Sequence, residues 1–301
     1  MLPDLKLRWA IESKIKQLGY RSGMKLIFLV IASEDSIHEQ DLLTQKETWV
    51  ASLPKDVSAV WLRGHNSRKF NFDGETLYVP CPELYGNILE KTILGVKYIT
   101  DNVDFDILVR TNVSTYFNTK KTLSELAKKR FSEDFFGGYI DKSKGGYFGR
   151  KDSQDYISGT GIFLSRAAAK KLSSLDFKDY QGIPDDVAIS HFLDLSGMKK
   201  IRMSRNNLGS THIFIPSYYI RAKSSAVSSL ASDRMRLIDS FFNQRSLNGK
   251  LKSYRRIVSF EIEAFRTHPE GKWRYVQRNR VVFQNLVLTK GIQLWQLITL
   301  R

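Results

Sequence analysis

The chain has 301 residues, of which 42% are hydrophobic and 12% aromatic, enough for one large domain or a domain with an appendage. This composition excludes a globally disordered protein, and no apolar run reaches the length of a membrane span. The formal net charge of +16 favours polyanionic partners such as nucleotide phosphates, nucleic acid or an anionic membrane surface.

The cysteine content and the amino-terminal region bear on the compartment. Cys81 is the single cysteine, which rules out an intrachain disulfide framework and is typical of a reducing compartment. The apolar stretch 24–32 has charged neighbours and no cleavage pattern after it, so we interpret it as the first core strand. We therefore expect a cytoplasmic protein.

Basic residues are concentrated in two segments. Residues 199–223 contain six Lys or Arg and no acid, and residues 245–301 contain twelve Lys or Arg against three acids. The alternative is that the basic residues only keep the surface soluble, but this explains scattered charges better than clustered ones. The two segments therefore favour contacts with anionic ligands or surfaces.

Short strands and helices alternate along the chain after an amphipathic helix predicted within residues 1–23. This alternation predicts an α/β sheet of mainly parallel strands in a domain spanning 24–230, followed by a basic, mainly helical region at 231–301. The predicted strands are 25–32, 57–62, 76–79, one that begins at Phe105, 135–140 and 158–164. The predicted helices are one through 45–49, 84–100, 119–129, 166–172 and one that begins at Pro184.

Polar side chains follow two of these strands. Ser33 comes directly after the first strand, and Arg110, Asn112 and Ser114 mark the end of the strand that begins at Phe105. Ligands of open α/β sheets bind outside the carboxyl ends of the strands, so these positions are candidate ligand contacts. The alternative is an ordinary polar turn.

Two adjacent acids, Asp185 and Asp186, follow Pro184 at a predicted helix start. Proline is well tolerated in the first helical turn, and acids there complement the helix dipole. A carboxylate in this position can also face a pocket and accept a proton from a substrate hydroxyl. The alternative is an ordinary helix cap.

The glycines Gly159 and Gly161 are, by themselves, only a weak signal of a dinucleotide-binding site.

Four segments together resemble motifs of the fringe and β-1,3-galactosyltransferase group of glycosyltransferases. They are 45–49 (QKETW), 84–92 (LYGNILEKT), 158–165 (SGTGIFLS) and 184–190 (PDDVAIS). The resemblance covers roughly residues 25–215. It implies a GT-A fold, in which a Rossmann-like nucleotide-sugar site adjoins an acceptor site, and an inverting transfer by direct displacement.

The resemblance also implies residue roles. It places the catalytic base at Asp186, with Asp185 orienting the base or capping the helix. The two glycines would let the backbone approach the donor sugar. Lys91 would support the nucleotide, although it could be a solvated helix lysine instead. The predicted donor-binding residues are Ser33, Lys91, Thr92, Arg110, Asn112, Ser114, Gly159, Thr160, Gly161 and His212.

The metal motif of the family is where this chain departs from the pattern. The D-x-D motif falls on Asn112 and Ser114, whose neutral side chains suit Mn²⁺ or Mg²⁺ poorly. No metal ligand is therefore predicted, although a divalent cation stays open as a cofactor. Either basic residues neutralise the leaving diphosphate, or catalysis has been lost. His212 could contact the diphosphate or be a buried structural histidine. The basic candidates are Arg110, Arg202, Arg205, Arg221 and Lys223.

The sequence therefore predicts a nucleotide-sugar-dependent, hexosyltransferase-type glycosyltransferase acting on a glycan or glycolipid acceptor in surface polysaccharide synthesis. The alternatives are a pseudoenzyme that binds nucleotide sugar or glycan without transfer, and a basic nucleic-acid-binding protein. We expect no nucleic-acid partner, because no recognisable RNA or DNA module is present.

The carboxyl-terminal region predicts peripheral contact with an anionic membrane at its inner face, because aromatic residues there lie among basic ones. These aromatic residues are Trp273, Tyr275, Phe283 and Trp295. The alternative is helix cores packed on the catalytic domain.

Overall fold

The computed structural model describes residues 24–128, 134–143, 145–149, 152–207, 218–222, 230–244 and 246–267. The helix predicted within 1–23 lies outside these residues. So do His212, Lys223 and the aromatic residues of the basic region beyond residue 267. Within the described residues, no helix is both long enough and apolar enough to span a membrane.

The strands alternate with helices along most of the chain, as the sequence predicts. The described strands are β1 (Leu26–Ile31), β2 (Val57–Gly64), β3 (Asn71–Phe72), β4 (Thr76–Val79), β5 (Ile107–Asn112), β6 (Thr115–Phe117), β7 (Phe135–Lys142), β8 (Asp155–Ser165), β9 (Lys199–Arg202), β10 (Arg205–Asn207) and β11 (Tyr219–Arg221). The described helices are α1 (Ser36–Glu47), α2 (Ile88–Asn102), α3 (Thr119–Lys128), α4 (Arg166–Leu172), α5 (Asp185–Leu195), α6 (Ala231–Asn243) and α7 (Leu247–Thr267).

Among the described residues, eight strands form one sheet in the order β3-β4-β2-β1-β5-β8-β7-β9. β1 pairs in parallel with β2 on one side and β5 on the other, with Leu26 opposite both Val57 and Ile107. β3 and β8 run antiparallel to their neighbours. The predicted fold class, a Rossmann-like and mainly parallel α/β sheet flanked by helices, is therefore confirmed.

Both faces of the central sheet are covered. Along β1, Ile27 and Leu29 pack against the apolar side chains of α2, α4 and α5. Phe28 and Val30 point to the other face, where they pack with residues of α1, β6, β11 and α6. Successive side chains of a strand point to opposite faces, so a strand buried on both faces is a continuous apolar run, as β1 is.

The second described sheet is small and has the order β10-β11-β6. It packs on the same face as α6, which buries Met235 and Ile238 completely. Arg234 of α6 forms two hydrogen bonds to Glu261 of α7, at 2.7 and 3.0 Å. The first part of the basic carboxyl-terminal region therefore packs on the sheet domain.

Candidate active site

A cleft of about 490 Å³ opens at the carboxyl ends of β1 and β5. The chain leaves β1 for β2 on one side and later enters β5 on the other side, so the strand order reverses between them. Ligands of doubly wound sheets bind at such a reversal. Nine of the predicted site residues line this cleft: Ser33, Lys91, Arg110, Asn112, Ser114, Gly159, Thr160, Asp185 and Asp186.

Asp186 lies in the first turn of α5 with its carboxylate held on both oxygens. The Gly159 N–H donates to Oδ2 at 2.9 Å, and the Val187 N–H donates to Oδ1 at 3.0 Å. Burial raises the pKa of Asp186 to about 6, and the charge of Asp185 acts in the same direction. The two N–H groups and Arg110 act in the opposite direction. A carboxylate has about four acceptor positions, so Asp186 can still accept hydrogen bonds from a ligand.

Asp185, the neighbouring acid, forms an ion pair with Arg110 of β5. The Arg110 side chain is only 3% exposed, and its Nη1 also donates to the Gly159 carbonyl and, at 3.0 Å, to Asn112 Oδ1. Arg110 thereby connects β5, β8 and α5 at the base of the cleft. A buried guanidinium with a carboxylate partner avoids the cost of an isolated buried charge, and the pair fixes the start of α5.

The two glycines of β8 have different surroundings. A Cβ atom added to Gly159 would lie 2.5 Å from Arg110 Nη1 and 3.3 Å from Asp186 Oδ2. A Cβ atom added to Gly161 would lie 2.9 Å from the ring of Tyr219, and Gly161 does not line the cleft. The absence of a side chain at Gly159 thus allows Arg110 to approach β8, whereas at Gly161 it makes room for Tyr219.

Lys91 is buried rather than solvated, with 2% of its surface exposed. It forms an ion pair with Glu83 and donates to the Ala32 carbonyl at 2.8 Å. Glu83 in turn accepts the Gly64 N–H. The pair therefore fastens α2 to the carboxyl ends of β1 and β2. Thr92, one residue further along α2, is fully buried and does not line the cleft.

Ser33 belongs to a polar cluster that begins α1. Asp35 caps this helix by accepting the His38 N–H at 2.9 Å, and the Ser33 hydroxyl contacts both Asp35 and His38 Nδ1. Asp35 and His38 also line the cleft, although no sequence motif marks His38.

The turn after β5, where the family motif predicts metal ligands, is fixed through its backbone. Gln45 Nε2 donates to the carbonyls of Asn112 and Thr115 at 3.1 and 3.0 Å, and the Ala222 N–H donates to the Ser114 carbonyl at 3.0 Å. The Asn112 side-chain oxygen accepts from Arg110. In the described part of the chain, no three His, Cys, Asp or Glu side chains are placed to hold a metal ion. The neutral side chains of Asn112 and Ser114 therefore suit a divalent cation poorly.

Asp141 and Tyr156 also line the cleft, although sequence reasoning did not single them out. They lie opposite each other in the pairing of β7 with β8. No local pattern marks either residue, because their common position depends on strand pairing.

The basic residues proposed for the diphosphate differ in position. Arg221 lines the cleft, while Arg202 is exposed and does not line it. Arg205 is buried and donates to the hydroxyls of Ser158 and Thr160 at 2.8 and 3.0 Å. Of these three, Arg221 is therefore the side chain placed to meet a ligand in the cleft.

No protein-family model matches the chain, and no curated protein matches it in sequence. Solved structures with some likeness include an active-site mutant of LgtC, with 13% identity, a TM-score of 0.45, and coverage of 75% of this chain and 100% of that one. The glycosyltransferase GlyE of Streptococcus pneumoniae has 9% identity and a TM-score of 0.41, over 70% of this chain and 60% of that one.

A third solved structure is the mannosyltransferase PcManGT of Pyrobaculum calidifontis, in complex with GDP-Man and Mn²⁺. It has 8% identity and a TM-score of 0.40, over 97% of this chain and 87% of that one. These likenesses are weak, so the function is inferred from the residues of the cleft.

Proposed function

We propose that this protein is a nucleotide-sugar-dependent glycosyltransferase that inverts the configuration of the transferred sugar, with Asp186 as the general base. The observation that carries the proposal is the position of Asp186. Its carboxylate lines a cleft at the strand-order reversal, is fixed by the N–H groups of Gly159 and Val187, and has a pKa of about 6. A base with a pKa near the working pH is the most effective proton acceptor.

The reaction would be a single displacement. Asp186 accepts the proton of an acceptor hydroxyl while that oxygen attacks the anomeric carbon of the donor sugar. The bond between the anomeric carbon and the phosphate oxygen breaks on the opposite face, and the nucleoside diphosphate leaves with the bonding electrons. Asp185 and Arg110 hold the start of α5, so the carboxylate is positioned before the substrates bind.

The leaving diphosphate requires positive charge. Because Asn112 and Ser114 have neutral side chains at the positions of the expected metal ligands, we assign this role to Arg221, which lines the cleft and whose planar guanidinium suits phosphate oxygens. Arg110 adds positive charge at the base of the cleft, although Asp185 neutralises part of it. The acceptor we propose is a glycan or glycolipid of surface polysaccharide synthesis, and the transferred group a hexose.

The first test is donor binding. Thermal unfolding is measured with UDP-, GDP-, CMP- and dTDP-sugars, each with and without Mn²⁺. A ligand present at 100 times its Kd stabilises the folded state by about 2.7 kcal/mol, which is a clear shift in Tm. We expect one nucleotide class to raise Tm without Mn²⁺. If no nucleotide sugar shifts Tm under either condition, the proposal is wrong.

A second candidate function is nucleotide-sugar or glycan binding without transfer. The observation that favours it is the pair of neutral side chains, Asn112 and Ser114, at the positions of the family's metal ligands. The two functions differ in product formation. When a glycan acceptor is supplied, a transferase releases the nucleotide of the donor that stabilises it, which is a nucleoside diphosphate or, for a CMP-sugar, CMP. A binding protein leaves that donor intact.

A further inference from the structure

One wall of the cleft has no part in the displacement described above. It consists of Asp141 at the end of β7 and Tyr156 near the start of β8, which are direct cross-strand partners. The Asp141 side chain is 42% exposed, and Tyr156 is half-buried. Cross-strand partners have Cβ atoms about 5 Å apart, so a carboxylate and a phenol stand side by side on this wall.

This wall adjoins the proposed base. Burial, together with the negative charges of Asp186 and Asp141, raises the pKa of Tyr156 to about 12, while Arg205 and Arg221 act in the opposite direction. The phenol of Tyr156 is therefore within electrostatic reach of both carboxylates. Because Asp141, Tyr156 and Asp186 line the same cleft, a sugar that contacts Asp186 through one hydroxyl can reach Asp141 and Tyr156 through others.

The wall also rests on a buried support. Arg205 is 3% exposed, stacks over the Tyr139 ring at 3.9 Å and lies 3.9 Å from Asp141 Oδ2. It donates hydrogen bonds to the hydroxyls of Ser158 and Thr160, both of which line the cleft. Arg205 thus fixes Ser158 and Thr160 at the foot of the wall and places a positive charge beside Asp141 before a ligand arrives.

The chemistry of the wall suits a neutral sugar better than a phosphate. Asp141 and Asp186 would repel the diphosphate of a donor, whereas a carboxylate accepts hydrogen bonds from hydroxyl groups and a phenol both donates and accepts them. Hydrogen bonds to a charged acceptor are stronger than those between neutral groups.

We propose that Asp141 and Tyr156 form the acceptor subsite, where they bind the hydroxyl groups of a neutral sugar and present one further hydroxyl to Asp186. This inference rests on the proposed function, because the base marks the position of the acceptor hydroxyl. The inference adds two things to the proposed function: the acceptor presents an uncharged sugar, and Asp141 and Tyr156 determine the specificity for it.

The experiment measures binding of methyl β-glycosides of glucose, galactose, mannose and N-acetylglucosamine by saturation-transfer NMR, with methyl β-glucuronide as an anionic comparison. We expect the full-length protein to bind at least one neutral glycoside and not the glucuronide. Asp141→Asn should weaken that binding about tenfold, and Tyr156→Phe about threefold or more, because each loses hydrogen bonds to the ligand.

Asp155→Asn is the matched control. Asp155 is an exposed carboxylate next to Tyr156 on β8, but it does not line the cleft, so its substitution should leave glycoside binding unchanged. Nucleoside diphosphate affinity is measured on every variant and should stay within about twofold of the starting protein, since this wall is assigned to the acceptor.

The acceptor subsite is wrong if no neutral glycoside binds, if the glucuronide binds equally well, or if Asp141→Asn and Tyr156→Phe bind glycosides normally. Loss of nucleoside diphosphate binding in those two variants would also overturn it, since the wall would then belong to the donor. The proposed function fails separately, when no nucleotide sugar binds the unaltered protein.

Discussion

At the scale of single residues, Asp186 offers the most direct test. Asp186→Asn should lower turnover by about 10²-fold or more while donor affinity hardly changes, because the lost interaction belongs to the transition state. An amide oxygen can replace only one of the two carboxylate oxygens that accept from Gly159 and Val187, so the fold is checked by circular dichroism. Steady-state kinetics with Asp185→Asn as comparison measures the effect. Normal turnover in both single variants and in the double variant would contradict the assignment.

The pH dependence of the reaction follows from the same carboxylate. A base must be ionised to accept a proton, and the pKa of Asp186 is raised to about 6, so kcat/KM should fall as the pH falls through about 6. The charge of Asp185 contributes to the raised pKa of Asp186, so Asp185→Asn should move the acidic fall of kcat/KM to lower pH. A pH–rate profile flat down to pH 5 would contradict the role of Asp186.

Gly159 gives a structural prediction at the same scale. A Cβ atom there would lie 2.5 Å from Arg110 Nη1, so Gly159→Ala must displace a guanidinium that is 3% exposed and paired with Asp185. We expect a loss of about 1–3 kcal/mol in the free energy of unfolding, measured with urea, together with reduced turnover. Gly145→Ala is the control, because a Cβ atom at Gly145 meets nothing within 4 Å. Equal stability of the two variants would show that Arg110 moves aside at little cost.

Residues marked by local sequence were easier to predict than residues that act through distant partners. Asp186 stands out because two acids follow a proline at a helix start. The partnership of Arg110 with Asp185 joins residues 75 positions apart, and no local pattern indicates it. Asp141 and Tyr156 meet only because β7 and β8 pair, so their place in the cleft could not be predicted from their neighbours in sequence.

At the scale of elements, α1 supports the turn after β5. Gln45 is fully buried and donates through one side-chain nitrogen to the carbonyls of Asn112 and Thr115. Gln45→Ala removes the hydrogen bonds from both carbonyls, of which the one to Thr115 is buried. The free energy of unfolding should therefore fall by about 1–3 kcal/mol, and nucleotide-sugar affinity should fall as well.

Gln40→Ala on the exposed face of α1 is the control for this substitution, and calorimetry on both variants provides the measurement. If Gln45→Ala lowers Tm but leaves nucleotide affinity intact, the turn does not contact the donor. If neither changes, the hydrogen bonds of Gln45 do not hold the turn.

The longer elements follow from local patterns, and the shortest ones do not. β1 is a continuous apolar run, and the bounds of β4 and α4 agree with their predictions at 76–79 and 166–172. The three-residue strands β6, β10 and β11 are too short to show a period of two. Their strand conformation depends on pairing with one another, and the pairing of β6 with β11 joins residues about one hundred positions apart, such as Tyr116 with Ile220.

At the scale of the whole molecule, charge is unevenly distributed. The formal net charge is +16, yet Asp35, Asp141 and Asp186 line the cleft. A positive protein attracts anionic nucleotide sugars over distances of about 10 Å, whereas carboxylates inside the cleft act on the ligand once it is bound. Attraction to the cleft and selection within it are therefore carried by different residues.

The last prediction concerns whether α6 and α7 unfold together with the sheet. Arg234 and Glu261 form a buried pair, with side chains 2% and 12% exposed, and Arg234 also contacts the Ala222 carbonyl next to Arg221. Removing one partner leaves an uncompensated buried charge, so Arg234→Met should lower the free energy of unfolding by about 3–5 kcal/mol. Adding Glu261→Leu should restore much of the lost free energy of unfolding, because both charges are then absent.

Urea unfolding, followed by circular dichroism and by tryptophan fluorescence, should give one coincident transition for all three proteins if the helices and the sheet form one cooperative unit. Two separate transitions, with only one moved by Arg234→Met, would show instead that the region after residue 230 unfolds as a unit of its own.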